Sequence, residues 1–133
     1  MSTEIIDILL EKDEWQNFEC KRALVKPARL LETIAAFANT DGGTIAIGLE
    51  DPEKASGKAR LIGISEGPSN VSDTLKLLGK DIVPPLPQVT TEELPIENTQ
   101  GNADKIIIIF VEKSNDVHSV AGDTFVRKGS QNT

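Results

Sequence analysis

Phe37-Ala38-Asn39-Thr40-Asp41-Gly42-Gly43-Thr44-Ile45-Ala46-Ile47-Gly48-Leu49-Glu50-Asp51 is the stretch on which the fold turns. An apolar helix ends at a polar, double-glycine turn, which leads at once into a strand with two carboxylates at its far end. A helix end favours a residue with positive φ, and glycine takes that conformation without steric cost. So short a helix-to-strand connection belongs to mixed α/β architecture.

Working outward, Pro27 suits the first turn of the helix, and Leu30, Leu31, Ile34, Ala35, Phe37 and Ala38 follow as a broad apolar stripe. Its alanines permit close packing against a sheet. Before it, Phe18-Glu19-Cys20-Lys21-Arg22 alternates as a half-buried strand does, with Glu19 and Lys21 on one face. Residues 3–11 read as a short helix capped by Ser2 or Thr3, with Glu4 and Asp7 in its first turn. Trp15 and Phe18 are assigned to the core, and Cys20 reads as a small buried hydrophobe with no chemical role.

Downstream, 50–60 is a polar loop and Leu61–Ile64 a short strand. A helix from Val71 to Ile82 is expected, capped by Ser69 or Asn70 and ended by Pro84-Pro85-Leu86-Pro87. Strands follow over Gln88–Ile96 and Lys105–Val111, joined by the turn-rich 98–102 segment. Ile106-Ile107-Ile108-Ile109-Phe110-Val111 is apolar on both faces, which places it at the centre of the sheet. A last strand covers Thr124–Arg127. The expected architecture is α/β (α+β): one domain, a mixed sheet of about five to six strands, two main helices and a short N-terminal one.

The 133 residues, 38% of them hydrophobic, suit a single compact domain. No run of apolar residues is long enough for a membrane span and no secretory signal opens the chain, so a cytoplasmic location and no membrane partner are the default expectations. A net charge of −7 argues against broad coating of duplex phosphate. Local basic stretches remain: Lys21, Arg22, Lys26 and Arg29 in one, Arg127 and Lys128 in the other. The single histidine, His118, has no cysteine or second histidine for a zinc site and reads as a loop hydrogen-bonder. Gly42 and Gly43 precede a strand and lack the lysine and hydroxyl of a phosphate-binding loop, which argues against ATP.

Four blocks in order, Phe18-Glu19-Cys20-Lys21, Ala36–Thr44, Ile47–Asp51 and Phe125-Val126-Arg127-Lys128-Gly129-Ser130, resemble the Schlafen-type AlbA-like domain. Asn39, Thr40, Gly42 and Gly43 form its most distinctive motif. Cys20 departs from the family's usual Glu-Phe-Lys but keeps both charged residues. That family is usually described as a nucleic-acid-binding module, often N-terminal in bacterial transcriptional regulators and divergent AAA-type ATPases and also present in vertebrate Schlafen proteins. The resemblance implies an AlbA-like fold and a module that binds DNA or RNA, with Lys21, Arg22, Lys26, Arg29, Arg127 and Lys128 as phosphate contacts. It also implies a homodimer, with the exposed final strand as its edge. The abrupt end after that strand suggests a fragment with a C-terminal domain fused after Thr133.

The alternative is a nuclease. If the two strands pair, Glu14, Glu19, Glu50 and Asp51 could converge beside Lys21, and clustered carboxylates suit a hard divalent cation such as magnesium or manganese. In the Schlafen branch three acidic residues at matching places form a nuclease site. The resemblance hands that role to Glu14, Glu19 and Asp51 (or Glu50), with Lys21 stabilising the phosphate.

Overall fold

A computed structural model describes residues 2–11, 17–86 and 89–133. Glu14 and Trp15 lie outside the described residues, as do the side chains of Ser2, Thr3 and Glu4.

The elements run α1 (Ser2–Glu11), β1 (Phe18–Lys21), α2 (Pro27–Asn39), β2 (Gly43–Ile47), a 3-10 turn (Gly57–Arg60), α3 (Pro68–Asp81), β3 (Ile82–Val83), β4 (Val89–Glu97), β5 (Ala103–Val111), β6 (Ser119–Val120), β7 (Asp123–Thr124), β8 (Arg127–Lys128) and β9 (Gln131–Asn132). The main sheet is mixed and ordered β1-β2-β5-β4. β1 runs parallel to β2, and β5 is antiparallel to both β2 and β4. The remaining short strands form a three-stranded sheet, β3-β6-β7, and the β8–β9 hairpin. The mixed α/β architecture is the expected one, although among the described residues its main sheet holds four strands.

The isoleucine run explains how that sheet is built. Ile107, Ile109 and Val111 point to a core shared with α2 and α3, while Ile106 and Ile108 point to a second core with Leu9 of α1, Phe18, Cys20, Ala46, Leu49 and Leu94. A strand buried on both faces is a central strand, and β5 lies between β2 and β4. Each buried isoleucine contributes about 1.5–3 kcal/mol. α2 buries Leu30, Leu31 and the run from Thr33 to Ala38, so its alanines do bring it close to the sheet.

The double glycine serves two purposes. Gly42 has φ +75°, and its N–H donates to the Phe37 carbonyl at 2.7 Å, closing the helix end. Gly43 is needed for space, since a Cβ there would lie 2.8 Å from the Asn17 carbonyl oxygen and 3.0 Å from the Phe37 ring.

Three expectations need correction. Leu61–Ile64 is not a strand: only Leu61 bridges, to Leu49, and Gly63 at φ +83° turns the chain so that Ile62 and Gly63 both donate to the Gly48 carbonyl. α3 begins at Pro68 after an N-cap Gly67 that makes no side-chain capping bond; Asn70 instead donates to the Leu24 carbonyl. The last predicted strand is broken into β7 and β8, with β8 turning back into β9.

Candidate functional site

Glu19 sits on the α2 face of β1, where Phe18 and Cys20 alternate away from it into the other core. Its carboxylate is buried and meets Arg127, whose side chain is 0% exposed, at 2.8 Å. Asn132 accepts from the same Arg127 Nη1 at 3.0 Å and donates to Thr33 Oγ1 at 2.8 Å. Thr33 Oγ1 lies 3.3 Å from the second Glu19 oxygen, and Lys21 Nζ lies 3.4 Å from it. The Arg127 guanidinium also stacks over the Phe37 ring, 4.9 Å from its centroid. β1, α2 and the β8–β9 hairpin are thus joined around one buried ion pair. Arg127 is therefore not a phosphate contact: burial removes it from the surface.

Glu50 has a different partner. Arg22 donates to Glu50 Oε2 at 2.9 Å and to both oxygens of Glu66, with Nε at 2.9 Å from Glu66 Oε2. Hydrogen bonding to Glu66 outweighs burial and raises the Arg22 pKa, and Glu50 adds to the rise. Glu50 Oε1 accepts from the Asp51 N–H, and Asp51 Oδ1 caps a turn by accepting from the Glu53 N–H. Glu19 and Glu50 thus take separate basic partners. Among the described residues, no three Asp, Glu, His or Cys side chains could hold a metal ion together. Glu14, a member of the expected metal set, lies outside the described residues.

Two residues that sequence reasoning passed over hold this region. Arg60 is buried, with Nε on the Glu50 carbonyl (2.8 Å), Nη1 on the Leu10 carbonyl (2.9 Å) and Nη2 3.2 Å from Cys20 Sγ. Glu66 takes two hydrogen bonds from Arg22, against one taken by Glu50. Neither carries a local signal: Arg60 ends the short 3-10 turn and meets Leu10 and Cys20 from 50 and 40 positions away, and Glu66 meets Arg22 from 44.

The Asn39-Thr40 motif is a fastener. The Asn39 amide nitrogen donates to the His118 and Phe125 carbonyls at 2.8 Å each, and its oxygen accepts from the His118 N–H at 2.8 Å. Thr40 Oγ1 accepts from the Arg127 N–H at 2.8 Å. His118 is a buried hydrogen-bonder, with Nδ1 at 2.6 Å from the Pro84 carbonyl oxygen and Nε2 at 2.7 Å from Ser114 Oγ.

The other predicted cations stand at the surface. Lys26 and Arg29 are exposed where α2 begins, Lys21 is 35% exposed at the end of β1, and Lys128 is exposed in the hairpin. The first turn of α2 carries no acidic residue, and Lys26 as N-cap makes no side-chain capping bond. Lys26 and Arg29 therefore border the positive end of a helix, with Lys21 at the end of the preceding strand.

These features define a small α/β domain in which two helices cover one face of a mixed sheet and a basic rim lies beside its first strand. The chain belongs to the family described as Schlafen, AlbA_2, whose profile matches residues 14–133. The family suggests a nucleic-acid-related domain. The fold is similar to that of the DIP2311 protein from Corynebacterium diphtheriae, with 15% identity and a TM-score of 0.62. That match covers 99% of this chain and 25% of the other, so this chain spans about a quarter of that protein. None of the curated protein sequences matches the chain. No described helix is long and apolar enough to cross a membrane.

Proposed function

We propose that this domain binds nucleic acid by its phosphates, through Lys21, Lys26 and Arg29 at the junction of β1 and α2. The observation that carries this reading is the exposure of Lys26 and Arg29 at a helix start free of acidic residues. A helix N-terminus offers unpaired N–H donors and a partial positive charge, which suit an anion. Arg22 and Lys21 add less than Lys26 and Arg29, because Glu50 and Glu66 already hold Arg22 and the Glu19 carboxylate lies 3.4 Å from Lys21 Nζ. Lys128 is a separate, peripheral contact. Few cations on an acidic chain give modest affinity that weakens with salt. The module is further proposed to act as one part of a longer regulatory protein, in support of which the chain matches only a quarter of the DIP2311 chain.

Fluorescence anisotropy with labelled single-stranded DNA, RNA and duplex, titrated across salt, tests this. K26A combined with R29A is expected to weaken binding and lower the salt slope by about one per phosphate contact removed. Binding that is indifferent to salt, or unchanged in the double variant, would sink the proposal.

A further inference from the structure

The main sheet ends in β4, which pairs only with β5 among the described strands, over the whole of its nine residues. In an antiparallel ladder residues alternate between bonding their partner and pointing N–H and C=O outward. The hairpin sets the phase: Asn98 N–H donates to the Asn102 carbonyl, so that pair is hydrogen-bonded. Counting back, Ile96, Leu94, Glu92 and Thr90 bond inward to β5, whereas Glu97, Pro95, Glu93 and Thr91 face outward. Pro95, which has no N–H, falls in the outward class, as an edge proline must.

Pro95 guards only the half of the edge near the hairpin. From Thr90 to Glu93 all four residues are exposed, and Thr91 and Glu93 direct their backbone groups away from β5. Natural edges are commonly blunted by charged side chains, lysine above all, or by proline, a bulge or brevity, and of these this segment carries only charge, all of it acidic. Those carboxylates are Glu92 on the α1 face, which makes no ion pair among the described residues, and Glu93 on the α2 face, which an incoming cation would share with Lys105 Nζ at 2.8 Å, with Glu97 further along.

We propose that the edge of β4 from Thr90 to Glu93 is a docking site for a basic, extended peptide segment of a partner protein, which adds a strand to the sheet. Backbone bonds to Thr91 and Glu93 would supply the pairing, and Glu92 and Glu93 the charge selection. A second copy of the chain is the poorer occupant, because edge-to-edge pairing sets these glutamates against each other on a protein already at −7. Nucleic acid is repelled by the same carboxylates, so this surface is separate from the basic rim.

The test is a titration of the isotope-labelled chain with a ten-residue peptide alternating lysine and valine, and with its glutamate and valine counterpart, followed by amide shifts and hydrogen exchange. The basic peptide is expected to shift and protect the Thr91 and Glu93 amides. T91P is expected to weaken it by about tenfold or more by removing one donor and blocking the approach. E92K combined with E93K, which leaves the backbone intact, is expected to abolish the basic peptide's response and create one to the acidic peptide. No protection at these two amides, equal response to both peptides, or self-association through this edge in sedimentation would each overturn the proposal.

Discussion

The two edge strands of one sheet treat charge in opposite ways. β1 is four residues long and buries Phe18, Glu19 and Cys20; β4 is nine residues long and buries only Leu94. On β1, Glu19 is drawn out of water and answered by Arg127, Thr33 and Lys21. On β4, Glu92 and Glu93 stay in water, and the one ion pair there among the described residues, Glu93 with Lys105, joins side chains 61% and 41% exposed. A buried pair ties elements together because removing either partner strands a charge, while an exposed pair contributes about 0–1 kcal/mol. The same residue type is structural at one edge and available for recognition at the other.

The largest effect that could break this contrast is at Arg127. R127M leaves the Glu19 carboxylate buried without its guanidinium and is expected to cost about 3–5 kcal/mol in chemical denaturation. Adding E19M should recover much of that loss, since two apolar groups of similar size replace the pair. A cost no greater than that of E93Q would show that the β1 pair behaves as a surface one.

The next test sharpens the phase of β4. T90P removes an inward ladder bond to Phe110 and should cost about 3 kcal/mol, whereas T91P, whose N–H faces outward, should cost less than about 1 kcal/mol. Equal melting temperatures for the two variants would mean that the assigned phase is wrong.

The smallest effect is expected at Asp104, opposite Ile96 on the neighbouring strand. Burial would raise its carboxyl pKa, but hydrogen bonds from Ser65 and Asn98 and from the Lys105 and Ile64 N–H groups outweigh this and bring it down from 3.8 to about 2. Its stabilisation is complete above pH 3.8 and is lost as pH falls towards 2, about 1 kcal/mol after solvent screening. Wild type and D104N should therefore converge in stability across that window. Curves that stay parallel between pH 5 and pH 2 would remove Asp104 from the acid side of the contrast.

Local pattern carried the elements and failed on pairings at a distance. The Ile106–Val111 run, the apolar stripe of α2 and the positive φ of Gly42 are properties of neighbouring residues, and each can be read from the chain. Arg127 beside Lys128 reads as a surface cluster, because nothing near either residue announces a glutamate 108 positions away. Arg22 was assigned to phosphate for the same reason, with Glu66 lying 44 positions off. Leu61–Ile64 has strand composition, yet Gly63 must leave room for the Asp104 carboxylate, and that constraint comes from another part of the chain. Asn39 and Thr40 stood out as a motif, but their partners His118, Phe125 and Arg127 appear only in three dimensions.

Asn39 does more than occupy a turn. Its side-chain amide behaves as one extra peptide unit, giving two hydrogens to carbonyl oxygens and taking one from an N–H, so its donor and acceptor ends cannot be exchanged. An aspartate there, nearly identical in shape, would face the oxygens of His118 and Phe125 with no hydrogen to offer either.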